Sequence, residues 1–327
     1  LAKHEQIKLE QERDTLLEEQ NEIEKILGSK TRLKTLIKNE LLEIKDEFGE
    51  ERKSPINESS EAKVFSEEET LVTESITIVL SEAGWIRSAK GHEIDPSSLS
   101  YRGEDKLQDF CRGKSNQLSV FLDSNGKAYS LPSHSLPSAR GMGDPISGRV
   151  SADSGVKFIS TLIGNDADKY MIINTAGYGY ISEFKNMVSN KKSGKAFMKL
   201  PNEAQLLKAL RVREDHVYIA AVSNIGRLLI FEINELPVLP KGKGNKIINI
   251  PTPKFLAKEE YMAHAQLISP SSSLRIESGK RFLTLKLKDL ENYISSRAKR
   301  GNMLPQGYRK VDNMIEEVES ILAESEE

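Results

Sequence analysis

Residues 118–129 read Leu-Ser-Val-Phe-Leu-Asp-Ser-Asn-Gly-Lys-Ala-Tyr: an apolar run, a turn dipeptide and a second run. Asn125-Gly126 suits a two-residue hairpin turn, whose central residues need positive φ, and glycine adopts that conformation without steric cost. The same strand, glycine turn and strand recur at residues 76–86 (ITIVLSEAGWI), 170–181 (YMIINTAGYGYI), 217–230 (VYIAAVSNIGRLLI) and 274–285 (LRIESGKRFLTL). The turn glycines Gly84, Gly126, Gly177, Gly226 and Gly279 stand 42, 51, 49 and 53 residues apart. Five hairpins at this period predict a mainly β, propeller-like array in which each unit buries its apolar face against its neighbours.

The chain before the first hairpin has a different texture. Leu9, Leu16 and Ile23 recur every seven residues, and Ile37 and Ile44 continue in phase, which is coiled-coil spacing. The second seam is weak at Arg13 and Gln20 and strong at Leu27, Leu41 and Phe48, so a partner helix is expected outside this sequence. Gly28-Ser29 reads as a C-cap followed by an N-cap and predicts helices over 2–27 and 30–48. The expected organisation is a helical coiled-coil region at 1–50, a linker at 51–74 without apolar period, the β array at 75–319 and an acidic tail at 320–327. The chain opens on Leu1 rather than Met, so a piece of a longer protein is expected, with catalytic groups upstream.

Composition narrows the partner. The formal net charge is −2, yet residues 1–75 carry 12 Lys+Arg against 20 Asp+Glu, residues 76–310 carry 35 against 22, and residues 311–327 carry none against 7. A basic middle between acidic ends points to a polyanion, with nucleic acid the leading candidate. No apolar run is long enough for a membrane span and no signal peptide is evident, so a cytoplasmic location is expected. Cys111 is the only cysteine, which excludes an intramolecular disulfide or a cysteine-rich zinc site; it is expected in the core.

A basic, glycine-containing loop follows four of the hairpins: Arg140-Gly141-Met142-Gly143, Lys191-Lys192-Ser193-Gly194-Lys195, Lys241-Gly242-Lys243-Gly244-Asn245-Lys246 and Arg297-Ala298-Lys299-Arg300-Gly301. Lysine and arginine displace counterions condensed on phosphates, and glycine would let backbone N–H groups approach phosphate oxygens. The hairpin tips add Arg87, Lys127, Arg227, Lys280 and Arg281, and Lys90 and Lys114 complete the candidate DNA-binding set. One such loop alone reads as a solvated turn; four in register favour a rim that follows a curved duplex. Few aromatics flank the loops, which predicts contact with the duplex backbone rather than base stacking.

Enzyme motifs fail. Gly113-Lys114-Ser115 mimics the end of a P-loop, but Gln108 stands where its first glycine belongs. The Gly-x-Gly turns at 141–143, 177–179 and 242–244 lack the third glycine of a dinucleotide fingerprint. The five histidines show no metal-ligand spacing, and Trp85 is expected in the core. No catalytic or metal-binding residue is assigned.

Longer segments carry a resemblance. Gly84-Trp85-Ile86-Arg87-Ser88-Ala89-Lys90-Gly91-His92, Gly113-Lys114-Ser115-Asn116-Gln117, Leu136-Pro137-Ser138-Ala139-Arg140-Gly141 and the run from Lys241 to Pro251 resemble the A subunit of bacterial topoisomerase IV over nearly the whole chain. The resemblance implies a coiled-coil arm followed by a five-bladed, DNA-binding and DNA-bending β-pinwheel of a type IIA topoisomerase. It implies homodimerisation through the helices, a B-subunit partner in an A2B2 assembly that holds magnesium and ATP, no cofactor in this chain, and a nucleophilic tyrosine upstream. No tyrosine here lies in the Arg-Tyr-Thr context of that nucleophile. The wrapping box Q-R-R-G-G-K-G of the sibling gyrase A subunit is also missing, which favours decatenation and relaxation over a gyrase-type wrapping domain. Chromosome association is expected, with peripheral membrane association as a further expectation. A propeller-like protein-interaction module without DNA binding is the rival reading.

Overall fold

The computed structural model describes residues 2–50 and 73–318. The chain divides into two compact units, 1–64 and 65–327, each considered by itself. The predicted linker lies largely outside the described residues, and the predicted tail at 320–327 lies wholly outside them.

In the first unit, helix α1 spans Ala2–Leu27 and helix α2 spans Lys30–Phe48. The predicted break is where the capping chemistry put it. The Gly28 N–H closes α1 on the Glu24 carbonyl, and Ser29 Oγ accepts from the Arg32 N–H at 3.5 Å. The heptad residues Leu9, Leu16, Ile23, Ile37 and Ile44 are all exposed, so among the described residues of this unit nothing covers the apolar stripe that their spacing creates.

The second unit holds five antiparallel sheets, each built on one of the hairpins. The first blade pairs Ser75–Ser81 with Trp85–Lys90, flanked by Leu107–Lys114 on one side and Asp144–Pro145 on the other. The second pairs Leu118–Asp123 with Lys127–Pro132, flanked by Phe158–Ile163 and Lys195–Ala196. In the third, Lys169–Ile173 and Tyr178–Glu183 lie between Leu210–Val212 and Asn245–Lys246. In the fourth, Tyr218–Ser223 and Arg227–Glu232 lie between Met262–Ile268 and Asn302–Met303. Among the described residues the fifth has three strands, Arg281–Leu285, Ser272–Ser278 and Asn313–Val318. All five turn glycines have φ between +60° and +82°, as the hairpin reading requires.

Two features of this topology set up the site. The six- to eight-residue strands at 107–114, 158–163 and 262–268, with 210–212 and 313–318, lie toward one another from blade to blade and form the inner layer. The two-residue strands close the opposite, outer edge, and each is donated by chain that has already built the next blade's hairpin. Burial is shared in the same way. Ile78, Leu80 and Ile86 of the first blade pack with Phe121 and Tyr129 of the second; Val120 and Leu122 pack with Tyr170, Ile172 and Tyr180; Met171 and Ile173 pack with Ile219 and Leu229; Ala220 and Val222 pack with Leu274 and Ile276. Successive strand residues point to opposite faces, so each of the three middle hairpins feeds two clusters, while the first and fifth each feed one, and neighbouring blades bury their apolar surface together.

The fifth blade is fastened through Glu316, whose side chain is only 5% exposed. Its carboxylate accepts from the Ser269 N–H and from Arg213 Nη2, both at 2.8 Å, and from Ser269 Oγ. Two expectations need correction. Trp85 is half-buried beneath the Arg102 guanidinium, 5.1 Å from the ring, rather than in the core. Cys111 is also half-buried, on an inner strand with Sγ 3.5 Å from Thr161 Oγ1, because the inner strands are not covered on both faces.

Candidate nucleic-acid interface

The four basic loops occupy one structural position. Each runs into the two-residue outer strand, so each lies along the outer edge of the preceding blade's sheet. Gly143, Gly194, Gly244 and Gly301 have φ of 86°, 73°, 76° and 73°. A Cβ on Gly143, Gly244 or Gly301 would stand 2.4, 2.3 or 2.6 Å from the carbonyl oxygen of Ile86, Gly179 or Leu228, and one on Gly194 would meet the Tyr129 ring at 2.7 Å. These glycines therefore let the loop dock on the neighbouring blade, where the sequence suggested close approach to phosphate.

An apolar residue locks each docked loop. The backbone N–H groups of Ile146, Phe197, Ile247 and Leu304 donate to the carbonyls of turn glycines Gly84, Gly126, Gly177 and Gly226 at 2.9, 3.1, 2.7 and 2.8 Å. Their side chains are buried to 2% exposure or less. Each such burial stabilises by about 1.5–3 kcal/mol.

Successive loops are also bonded to one another. Ser151 N–H donates to the Lys192 carbonyl (2.8 Å); Gly242 N–H donates to the Phe197 carbonyl (3.0 Å) while Lys199 N–H donates to Gly242 (2.9 Å); Ala298 N–H donates to Ile247 (2.8 Å) and Asn249 N–H to Lys299 (2.9 Å). The result is a continuous main-chain belt along the outer edges of four blades. Arg140, Lys191, Lys192, Lys195, Lys241, Lys243 and Lys299 are exposed on it, and Lys246 is half-buried with Nζ 3.3 Å from Asn249 Oδ1.

Other candidates face inward. Arg87, 4% exposed, donates to the carbonyls of Gly141 (3.1 Å) and Ser100 (2.8 Å) and lies over Tyr101. Arg227 donates to the Gly301 carbonyl (3.2 Å), and Arg297 to the Lys246 carbonyl (2.6 Å). Arg300 bonds the Asn249 carbonyl (3.3 Å) and pairs with buried Glu260 (2.7 Å). These four arginines fasten the belt to the blades. Lys127 pairs with Asp153 (2.6 Å) and Lys90 with Glu74 (2.9 Å). Lys114 ends an inner strand, and Lys280 and Arg281 stand at the turn of the fifth blade, which has no outer strand among the described residues; these three lie apart from the belt.

Sequence reasoning missed two residues. Tyr178 lies beneath two belt lysines, its ring centre 4.1 Å from Lys243 Nζ and 5.7 Å from Lys246 Nζ. Its only signal was a place beside turn glycine Gly177. Lys199 is exposed where the second and third loops meet. Burial raises Tyr129, Tyr170 and Tyr180 above the ordinary phenol range, and their hydroxyls bond Asp123, the Ile163 carbonyl and the Phe197 carbonyl.

No protein-family model matches the chain. The topoisomerase IV A subunit of Pseudomonas aeruginosa is 42% identical over 97% of this chain, and that of Escherichia coli is 37% identical over 96%. The solved C-terminal domain of the E. coli A subunit, ParC, superimposes with a TM-score of 0.67 at 37% identity, covering 75% of this chain and 99% of that domain. The chain belongs to the topoisomerase IV A-subunit family. It spans about 42% of the length of those curated relatives. The C-terminal domain of gyrase A aligns with a TM-score of 0.55 at 14% identity, over 74% of this chain and 82% of that one, a likeness of fold.

Proposed function

We propose that the β unit binds duplex DNA along the belt through phosphate contacts, and bends it. The observation that carries this reading is the hydrogen-bonded succession of four loops, which aligns Arg140, Lys191, Lys192, Lys195, Lys241, Lys243 and Lys299 on one outer edge. Among the described residues those cations have no ion-pair partner, whereas the inward arginines hold the scaffold, so backbone contact without base readout is the matching chemistry. Bending a duplex of 20–30 base pairs costs on the order of 1–6 kcal/mol, which several phosphate contacts offset.

In the whole protein this domain would present DNA segments to the cutting core of an ATP-dependent type IIA topoisomerase, favouring decatenation and relaxation. The nucleophilic tyrosine would come from another part of the A subunit, and magnesium and ATP from a B subunit in an A2B2 assembly. The exposed heptad stripe of α1 and α2 would take a partner helix in the homodimer. The protein would then work on the chromosome in the cytoplasm.

A duplex of about 30 base pairs carrying a donor and an acceptor dye at its ends tests bending directly. Energy transfer should rise on saturation with the chain, and the rise should vanish for the variant Lys192→Glu/Lys195→Glu/Lys241→Glu/Lys243→Glu. Unchanged transfer with tight binding would leave a straight-duplex binder, and no binding at moderate salt would favour the protein-interaction module.

A further inference from the structure

The inner strands of four blades converge on a cavity of about 530 Å³ that has no part in the outer belt. Its wall takes residues from the inner strand of every one of these blades, among them Phe110, Ile163, Leu210 and Leu267, and from the segments beside them. Four cations reach it: Arg112, Lys208, Arg211 and Arg213. Asp109 is the sole carboxylate in the lining, and Lys208 already pairs with it at 2.7 Å. Arg211 is tethered to Asp168 at 2.9 Å, and Arg213 to Glu316 at 2.8 Å and to Asp215 at 2.9 Å; these three acids lie outside the lining. Arg112 stacks on Phe110, its guanidinium carbon 5.4 Å from the ring centre, with no ion-pair partner among the described residues. Three of the four cations are thus oriented by carboxylates and Arg112 by a ring, and among the described residues Arg112 alone of them has no carboxylate partner.

We infer that this cavity is a binding site for a compact polyphosphate anion, with Arg112, Lys208 and Arg211 as its ligands. Three arguments carry the assignment. The volume falls within the range of about 300–1,000 Å³ typical of small-molecule sites. Guanidinium groups present paired N–H donors that match phosphate oxygens, and their tethers preorganise them. The apolar walls lower the local dielectric and strengthen each charge-assisted contact. The cavity lies on the inner layer and the belt on the outer edges, so this ligand and duplex DNA would occupy different surfaces, and the inference stands independently of the DNA reading.

The experiment is calorimetric titration of the full 327-residue chain with inorganic tripolyphosphate and, separately, with a nucleoside triphosphate. Both should bind. Arg112→Gln/Arg211→Gln should weaken tripolyphosphate by at least about tenfold, since it removes the charge-assisted hydrogen bonds of both guanidinium groups. Lys208 is left in place because removing it would strand the buried Asp109 carboxylate and risk the fold. The belt variant Lys241→Glu/Lys243→Glu should keep its tripolyphosphate affinity within about twofold, as expected for sites on separate surfaces. Tighter binding of the nucleotide would assign the apolar wall to its base, and equal binding would mean that phosphates alone are read; either supports the site. No saturable binding to the wild-type chain at millimolar ligand would overturn the inference. So would equal affinity of the Arg112/Arg211 variant with a wild-type melting curve, or loss of binding in the belt variant.

Discussion

The first four blades and the fifth begin from the same hairpin and end differently. Each of the four receives a two-residue strand from downstream, a glycine pressed against its second strand and a buried apolar anchor. Among the described residues the fifth receives none of these, and Phe282 on its outer strand is 56% exposed. The difference teaches that the outer belt is a structural consequence of strand exchange. The loops reach the rim because they complete the neighbouring blade, and their lysines arrive there with them.

The sharpest way to break this comparison is at the glycines. Gly244 and Gly279 both have positive φ, at 76° and 60°, but a Cβ would meet the Gly179 carbonyl at 2.3 Å in the first case and nothing within 4 Å in the second. Gly279→Ala should cost about 1–2 kcal/mol from backbone strain alone. Gly244→Ala should cost about 3 kcal/mol or more, since the loop must also lift from its strand. Urea unfolding of the two variants measures the difference, and equal losses would mean that docking contributes nothing.

A second contrast sets Ile247, fully buried, against Phe282. Ile247→Ala should lose about 2–5 kcal/mol. Phe282→Ala should lose no more than about 1 kcal/mol, the worth of the Arg275 guanidinium stacked 4.2 Å from its ring centre. A large loss at Phe282 would reveal an unrecognised cover on the open blade.

The attachment of the fifth blade should also be acid-sensitive. Burial pushes the Glu316 carboxyl up, but the hydrogen bonds from Ser269, Arg213 and Ser272 outweigh it and hold the group at about 2, below its ordinary 4.5. A depressed carboxylate stabilises the fold fully above its unfolded value and loses that contribution as pH falls toward the folded one. Unfolding free energy should therefore drop between pH 4.5 and about 2, and Glu316→Gln should flatten that drop. At neutral pH the same variant should lose about 2–3 kcal/mol, the worth of hydrogen bonds to a charged group. An unaltered pH profile would remove Glu316 from the account.

The smallest effect is expected at Tyr178. A cation–π contact at a partly exposed site is worth about 0.5–1 kcal/mol, so Tyr178→Leu should weaken duplex binding about two- to fivefold while Tyr178→Phe leaves it unchanged. Fluorescence anisotropy resolves the two. Equal affinities for Leu and Phe would limit Tyr178 to packing.

These contrasts also mark what was legible in the sequence. Gly28-Ser29 located the helix break and Asn125-Gly126 a hairpin, because capping and turn chemistry are local. The donated strands were invisible, since two residues such as Asn245–Lys246 have no period to read. The lysines of the belt and the arginines beneath it also looked alike. Nothing in the sequence separates Lys241, exposed on the rim, from Arg300, whose partners Asn249 and Glu260 lie 51 and 40 residues away. Trp85 was misplaced for a related reason: its apolar surface is covered by Arg102, a partner that no periodicity announces.

The claim beneath all of this is that the belt lysines neutralise DNA phosphates, and a salt titration of duplex affinity reaches it most directly. If about six phosphates are neutralised, log K should fall with log salt at a slope of about −5, and every phosphate that a variant no longer neutralises should make the slope shallower by about 0.9. Lys192→Glu/Lys195→Glu/Lys241→Glu/Lys243→Glu should therefore bind more weakly and with a markedly shallower slope, at an unchanged melting temperature. Superimposable salt dependences for that variant and the wild-type chain would contradict the account.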